Sequence, residues 1–265
     1  MAQSIFRNDL FANKVAFVTG GGSGICMGIT RALMQHGAKA AILGRKTARL
    51  AESATALEEA TGNECAAITC DVRDPKAVEA ALAATLERFG RIDIVVNGAA
   101  GNFLAPAAQL SPNGFRTVLD IDAAGTFNVC RAAFDAWLRD HGGVILNISA
   151  TLHYGATPLQ IHASAAKAAV DSLTRTLAVE WASLGIRVNG IAPGPIDDTE
   201  GMSRLAPGDI KDKMIASIPI KRFGTIDEIA NVALFLCSDA ASLVHGTTVV
   251  ADGAAWMGMS RSLMG

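Results

Sequence analysis

Between an apolar run, Lys14–Gly20, and a segment of helical period stands the turn Thr19-Gly20-Gly21-Gly22-Ser23-Gly24-Ile25. Glycines in such a turn let the backbone approach a pyrophosphate, and the helix that follows offers free N–H groups and the positive end of its dipole. Any tight turn uses glycine, but the placement between first strand and first helix makes Gly20, Gly22, Ser23, Gly24 and Ile25 a phosphate cradle. The second chemical feature is Lys167, in the run His162-Ala163-Ser164-Ala165-Ala166-Lys167. Residues four apart share one helix face, so a tyrosine at 163 would set a phenol beside the ammonium. Alanine stands there instead. A candidate phosphate cradle thus accompanies a lysine that has no phenol one turn before it on its own helix face.

The end of the second strand should meet the adenosine ribose. An acidic residue there would accept from a ribose 2′-hydroxyl, whereas an arginine pairs with a 2′-phosphate. This chain has Gly44-Arg45-Lys46, with Arg49 one turn on and no acid. Arg45, Lys46 and Arg49 therefore point to NADPH/NADP, against the alternative of a solvated basic turn.

Strands and helices must position these groups. Lys14–Gly20, Ala40–Arg45, Cys65–Val72, Ile92–Gly98, Gly143–Ser149, Ile186–Gly194 and Thr247–Gly253 are short, β-branched and nearly continuous in apolar character. That suits strands buried on both faces of a parallel sheet. Helical period runs over Gly24–His36, Thr47–Thr61, Pro75–Phe89, Phe115–Arg139, Ile161–Leu184 and Ile226–Ser238. The alternation predicts an α/β fold, a doubly wound parallel sheet of Rossmann type with seven strands in a single domain spanning 1–265. The stretch 195–219 lacks a strand, is polar and rich in Gly and Pro, and follows a strand's carboxyl end, where open sheets bind ligands. It reads as a substrate lid.

Bulk properties exclude several classes. A chain of 265 residues, half of them hydrophobic, supports one large core. A net charge of −2 gives no electrostatic case for nucleic acid. No apolar run approaches the roughly 18 residues of a membrane span. The five cysteines, an odd number without a C-x-x-C pair, read as reduced thiols. The five histidines are scattered, so no metal site is expected. With no secretory signal and a C-terminus, Ser262-Leu263-Met264-Gly265, unlike a peroxisomal address, a cytoplasmic location is expected.

Together these motifs resemble the short-chain dehydrogenase/reductase family over essentially the whole chain. The turn Thr19–Ile25 is similar to its phosphate element, Asp71-Val72 to its adenine-contacting pair, Asn97-Gly98-Ala99-Ala100-Gly101 to its Asn-Asn-Ala-Gly stretch, and Pro193-Gly194 to its turn beside the nicotinamide. The resemblance adds Asp71, Val72, Asn97, Ala99, Pro193, Gly194, Ile196 and Thr199 to the cofactor contacts, with Lys167 on the nicotinamide ribose. Cys26 replaces the family's third glycine and is expected to loosen helix–strand packing. Of the family's Asn, Ser, Tyr and Lys, only Lys167 remains. Asp122 stands at the asparagine, Ala150 at the serine and Ala163 at the tyrosine.

Asn102-Phe103-Leu104, Asp120-Ile121-Asp122, Asp140-His141-Gly142-Gly143, Pro193-Gly194-Pro195-Ile196 and Thr199-Glu200-Gly201 narrow the resemblance to 2,4-dienoyl-CoA reductases, the peroxisomal type above all. Those enzymes also lack the tyrosine. The resemblance implies NADPH-dependent reduction of a 2,4-dienoyl-CoA to a 3-enoyl-CoA, auxiliary to β-oxidation. Ketone reduction needs an acid at the carbonyl oxygen. Conjugate reduction instead spreads charge onto a thioester oxygen and protonates carbon, which a water held by a carboxylate can do. Asp122 would position or protonate that water. Tyr154, the sole tyrosine, either supplies a relocated phenol or packs on the substrate, and His162 either packs or donates to the thioester oxygen. By resemblance, Arg73, Phe103, Ser111, Asn113 and Arg204 contact the acyl-CoA, and helices Phe115–Arg139 and Ile161–Leu184 join subunits into a homotetramer. A 3-oxoacyl or carbonyl reductase and a silent NADPH-binding sensor remain the alternatives.

Overall fold

Apolar residues in β1 (Val15–Thr19) alternate between two destinations. Ala16 and Val18 join one buried cluster, and Phe17 joins the other. A strand that buries both faces must lie inside a sheet covered on both sides. In the computed structural model, which describes residues 5–197, 199 and 209–258, β1 pairs in parallel with β2 (Lys39–Gly44) and β4 (Ile94–Asn97). With β3 (Cys65–Thr69), β5 (Gly143–Ile148), β6 (Ile186–Pro193) and β7 (Thr248–Ala251) the seven-stranded order is β3-β2-β1-β4-β5-β6-β7. All pairings are parallel. The expected sheet and its seven strands are present.

One face is covered by α1 (Gly24–Gln35), α2 (Thr47–Thr61) and a helix over Ile226–Cys237, through Ile29, Leu33, Leu57 and Leu234. The other is covered by α3 (Pro75–Phe89) and the long helical segments of the chain's middle, through Val78, Leu82, Val129 and Leu177. The strand order reverses between β1 and β4, so the crevice between their carboxyl ends is where such a sheet receives a ligand.

The segment expected as one helix over Phe115–Arg139 is longer and less regular. It starts at Pro112, where Ser111 caps α4 (Pro112–Leu119) by accepting from the Gly114 N–H at 3.0 Å. A π turn, Asp120–Ala124, then precedes α5 (Gly125–Ala133). A second π turn, Phe134–Leu138, precedes a last short turn, α6 (Arg139–His141). Apolar periodicity cannot register such insertions, because each shifts the face by less than the width of the buried stripe. After β5, α7 (Ile161–Trp181) carries Lys167. Within the expected lid the described residues include α8 (Asp209–Ser217), followed by α9 (Ile226–Cys237) and α10 (Ala255–Gly258).

Cys26 does not loosen the packing of α1. It is buried, and its room comes from the strand side: a Cβ placed on Gly98 would lie 2.0 Å from the Cys26 sulfur. The bulk gained at 26 is matched by the bulk missing at 98. Gly98→Ala alone is expected to destabilise the protein by about 1–3 kcal/mol in urea unfolding, and the double variant with Cys26→Ala to recover part of that loss. Strictly additive losses would disprove the shared space.

Candidate active site

Gly20 has φ of +69°, a conformation glycine adopts without strain, and a Cβ there would meet the Gly98 carbonyl oxygen at 2.8 Å. Gly24 also has positive φ, and nothing lies within 4 Å of where its Cβ would be. Ser23, the N-cap of α1, makes no side-chain cap, and no acid occupies the first turn. An open helix N-terminus above bare glycine fits a diphosphate. Ser53 braces this turn by donating to the Gly22 carbonyl at 3.0 Å. Thr19, buried at the end of β1, accepts from the N–H groups of Gly98 and Ala99 at 3.0 and 3.2 Å, which ties the glycine turn to the loop after β4.

Arg45 and Lys46 are exposed just past β2. Asp71, beyond β3, is bound by its neighbour instead of standing open: Arg73 donates to it at 2.5 Å. That guanidinium holds the Asp71 carboxyl below the usual carboxylate range, with Arg45 pulling the same way. The adenine-side acid and the substrate-side arginine of the sequence reading therefore bind each other. Val72 is buried, with α5 approaching it so closely that a Cβ on Gly125 would sit 2.5 Å from its methyl. The Asn97 amide is also engaged, donating to Asn147 Oδ1 at 2.9 Å and to the Cys130 sulfur. Its Nδ2 is spent within the sheet, while its buried Oδ1 has no partner among the described residues. Ile196 is buried after the Pro193-Gly194 turn, and Thr199 donates to its carbonyl at 3.0 Å.

The centre is an ion pair. Lys167 Nζ lies 3.0 Å from Asp122 Oδ2, with both side chains at least nine-tenths buried. Lys167 also donates to the Ile148 carbonyl at 2.9 Å, and Asp122 Oδ1 accepts from the Gly101 N–H at 2.7 Å. Asp122 lies within the first π turn, and such turns are frequent at functional sites. Ala163 packs with Val118 and Ala166, so no gap marks the missing phenol. His162 is fully buried and stacks on Phe103 with centroids 4.3 Å apart. Ser111 and Asn113 are exposed at the start of α4, beside a cavity of about 590 Å3 lined by Leu110, Phe115, Arg116 and Ile161. Arg204 falls outside the described residues.

Tyr154 does not present a free phenol. Its hydroxyl donates to Asp171 Oδ2 at 3.1 Å, an oxygen shared with His153 Nε2 at 2.9 Å, while Thr248 donates to Oδ1. Burial, reinforced by the Asp171 charge, pushes the Tyr154 phenol up to about 12. A relocated proton donor is the wrong description of this residue. Sequence reading missed Asp171, although its place one turn after Lys167 was a usable signal. It also missed Ser149, buried beside Ile148 with a hydroxyl that has no partner among the described residues.

A glycine cradle at the switch point of a parallel sheet, and a buried lysine at the carboxyl edge, agree with what the comparisons find. A family model described as enoyl-(acyl carrier protein) reductase matches residues 20–255. The chain belongs to the short-chain dehydrogenase/reductase family. A peroxisomal 2,4-dienoyl-CoA reductase of Rattus norvegicus is 50% identical over 98% of this chain and 89% of its own. A probable 2,4-dienoyl-CoA reductase of Bacillus subtilis is 40% identical over 92% and 97%. Among solved structures, a citronellol catabolism dehydrogenase of Pseudomonas aeruginosa superposes with a TM-score of 0.85 at 37% identity, covering 96% and 99%. The family uses a nicotinamide cofactor. The peroxisomal names of several relatives do not fit the cytoplasmic expectation. No helix among the described residues is long and apolar enough to cross a membrane.

As the chain's sole tyrosine, Tyr154 can be titrated by absorbance at 295 nm. Little phenolate should form in the native protein at pH 10, its ordinary value, with the midpoint near 12. Between those values the unfolded chain has lost the proton that the folded chain keeps, so stability should fall as pH rises. Asp171→Asn should bring the midpoint down; a native midpoint at 10 would show the hydroxyl to be free.

Proposed function

We propose that this protein reduces 2,4-dienoyl-CoA thioesters to 3-enoyl-CoA with NADPH. The observation that carries the reading is the buried Asp122–Lys167 pair at a site where the family's tyrosine and serine are alanine. Relatives at about half identity whose names state this activity support it. NADPH is favoured over NADH by Arg45 and Lys46 and by the lack of an acid at the end of β2.

The nicotinamide, when bound, supplies hydride. The residues of the chain do the rest. Gly20 to Ile25 hold the diphosphate. Lys167 has three N–H donors; two go to Asp122 and Ile148, and the third is assigned to the ribose hydroxyls. Its charge also favours the negative charge that spreads to the thioester oxygen. Asp122, fixed by Gly101 and Lys167, holds the water whose proton goes to the α-carbon. No phenol is needed, because the proton ends on carbon. A carbonyl reductase would need an acid at oxygen, and the one phenol in the chain is bound to Asp171. Arg73, Phe103, Ser111, Asn113 and Arg204 are assigned to the acyl-CoA, and 195–219 to its lid. We further read the assembly as a homotetramer, supported by Phe127 on α5 and Val179 on α7, apolar residues left 47% and 82% exposed on the two helices concerned.

NADPH absorbance at 340 nm tests the reading. The protein should consume NADPH with 2,4-hexadienoyl-CoA and not with acetoacetyl-CoA; the reverse would establish a carbonyl reductase, and consumption with neither a silent binder. Asp122→Ala and its isostere Asp122→Asn should still bind NADPH while kcat drops about 100-fold or more. Full turnover in both would remove Asp122 from the chemistry. Arg45→Asp should raise KM for NADPH about tenfold or more while leaving NADH little changed, since one charge-assisted pair contributes about 1.5–3 kcal/mol.

A further inference from the structure

A cavity of about 500 Å3 lies at the carboxyl edge of the sheet, between the loop after β5 and the chain after β7. Thr151, Tyr154, Ala156 and Thr157 line it from one side, Trp256 and Met257 from the other. Its size is within the roughly 300–1,000 Å3 of small-molecule sites.

Both walls are attached to the groups assigned to the reaction. On the first side, Lys167 donates to the carbonyl of Ile148, three residues before Thr151, and Ser164 donates to the carbonyl of Leu152 at 3.3 Å. The loop is therefore fastened to α7 on both sides of Thr151. On the second side, the Trp256 N–H donates to Asp252 Oδ2 at 2.8 Å. Asp252 in turn packs on Gly194 so closely that a Cβ at 194 would come within 2.6 Å of its own Cβ. The second wall thus hangs from the Pro193-Gly194 turn.

The lining chemistry selects the occupant. Among the described residues, none that lines the cavity carries a carboxylate, ammonium, guanidinium or imidazole. The tyrosine's polar end is taken up by Asp171, itself 3% exposed and also bound by His153 and Thr248. What remains for the cavity is the ring, which meets the Trp256 ring edge-on at 5.6 Å. Two of its three hydroxyls are already spent, Tyr154 on Asp171 and Thr157 on the Leu152 carbonyl at 3.0 Å, and a wall whose described residues carry no charge is a poor seat for the phosphates of CoA. It suits a hydrocarbon.

We propose that this cavity receives the acyl chain beyond the reacting diene, and that Tyr154 and Trp256 form the surface that sets chain-length preference. The proposal rests on the dienoyl-CoA reading above and identifies the end of the substrate that reading leaves unplaced. Asp171 is then a positioning residue, holding the Tyr154 ring in place.

Each buried methylene contributes about a fourfold gain in binding. Wild-type kcat/KM should therefore be at least about tenfold higher for 2,4-decadienoyl-CoA than for 2,4-hexadienoyl-CoA. Ala156 is exposed at the cavity's rim, so a larger side chain there narrows the cavity without entering the core. Ala156→Phe should lower the decadienoyl-to-hexadienoyl ratio about tenfold, whereas Tyr154→Phe, which keeps the ring, should leave the ratio within about twofold of wild type. An unchanged ratio in Ala156→Phe, or a collapse in Tyr154→Phe, overturns the proposal. Calorimetric titration of both variants with hexanoyl-CoA and decanoyl-CoA reads the same ratio without turnover. If the wild type reduced neither dienoyl-CoA, the catalytic reading would fail while the binding ratio still judged the cavity.

Discussion

The Asp122–Lys167 contact joins four parts of the molecule that are far apart in the chain. Asp122 comes from a widened helical turn, and the amide it accepts comes from the loop after β4. Lys167 comes from α7, and the carbonyl it donates to ends β5. Two charges held almost wholly out of water are tolerated only because each has its partner and a backbone bond besides. Removing one would leave the other stranded, at about 3–5 kcal/mol. The pair therefore fixes the relative placement of the loop after β4, the Asp120–Ala124 turn, α7 and the end of β5 at once.

Around it, the sheet supplies rigidity and the loops supply chemistry. The ladder from Asn97 to Asn147 to Thr174 keeps β4, β5 and α7 in register immediately beneath the pair. Thr19 does the same between the glycine turn and the loop carrying Gly98. Neither set of bonds includes Asp122 or Lys167. They set the distances within which the few reactive groups must work.

Much of this was legible in the sequence, for identifiable reasons. Continuous apolar strands gave the parallel sheet, because burial on both faces leaves no alternation to misread. The glycine turn marked the sheet's carboxyl edge, because at Gly20 a positive φ and the nearby Gly98 carbonyl leave no room for a side chain. Lys167 and Asp122 were found as isolated residues, but their contact was not. It depends on the π turn, an insertion that leaves the apolar stripe intact. Of the two roles the sequence left open for Tyr154, the relocated phenol falls for a similar reason. A sequence displays a phenol without displaying the buried carboxylate that binds it. The Cys26–Gly98 match was invisible because it spans two motifs that were read separately.

The widened turn at Asp120–Ala124 has one more implication. Each residue advances an α-helix by about 100°. Shortening this turn by a single residue would swing everything on one side of it through slightly more than a right angle relative to the other. Asp122 would face a different neighbour while α5 kept its seat on the core. The length of this segment is consequently a discrete variable, and proteins with and without the extra residue present two separate geometries with no gradual path between them.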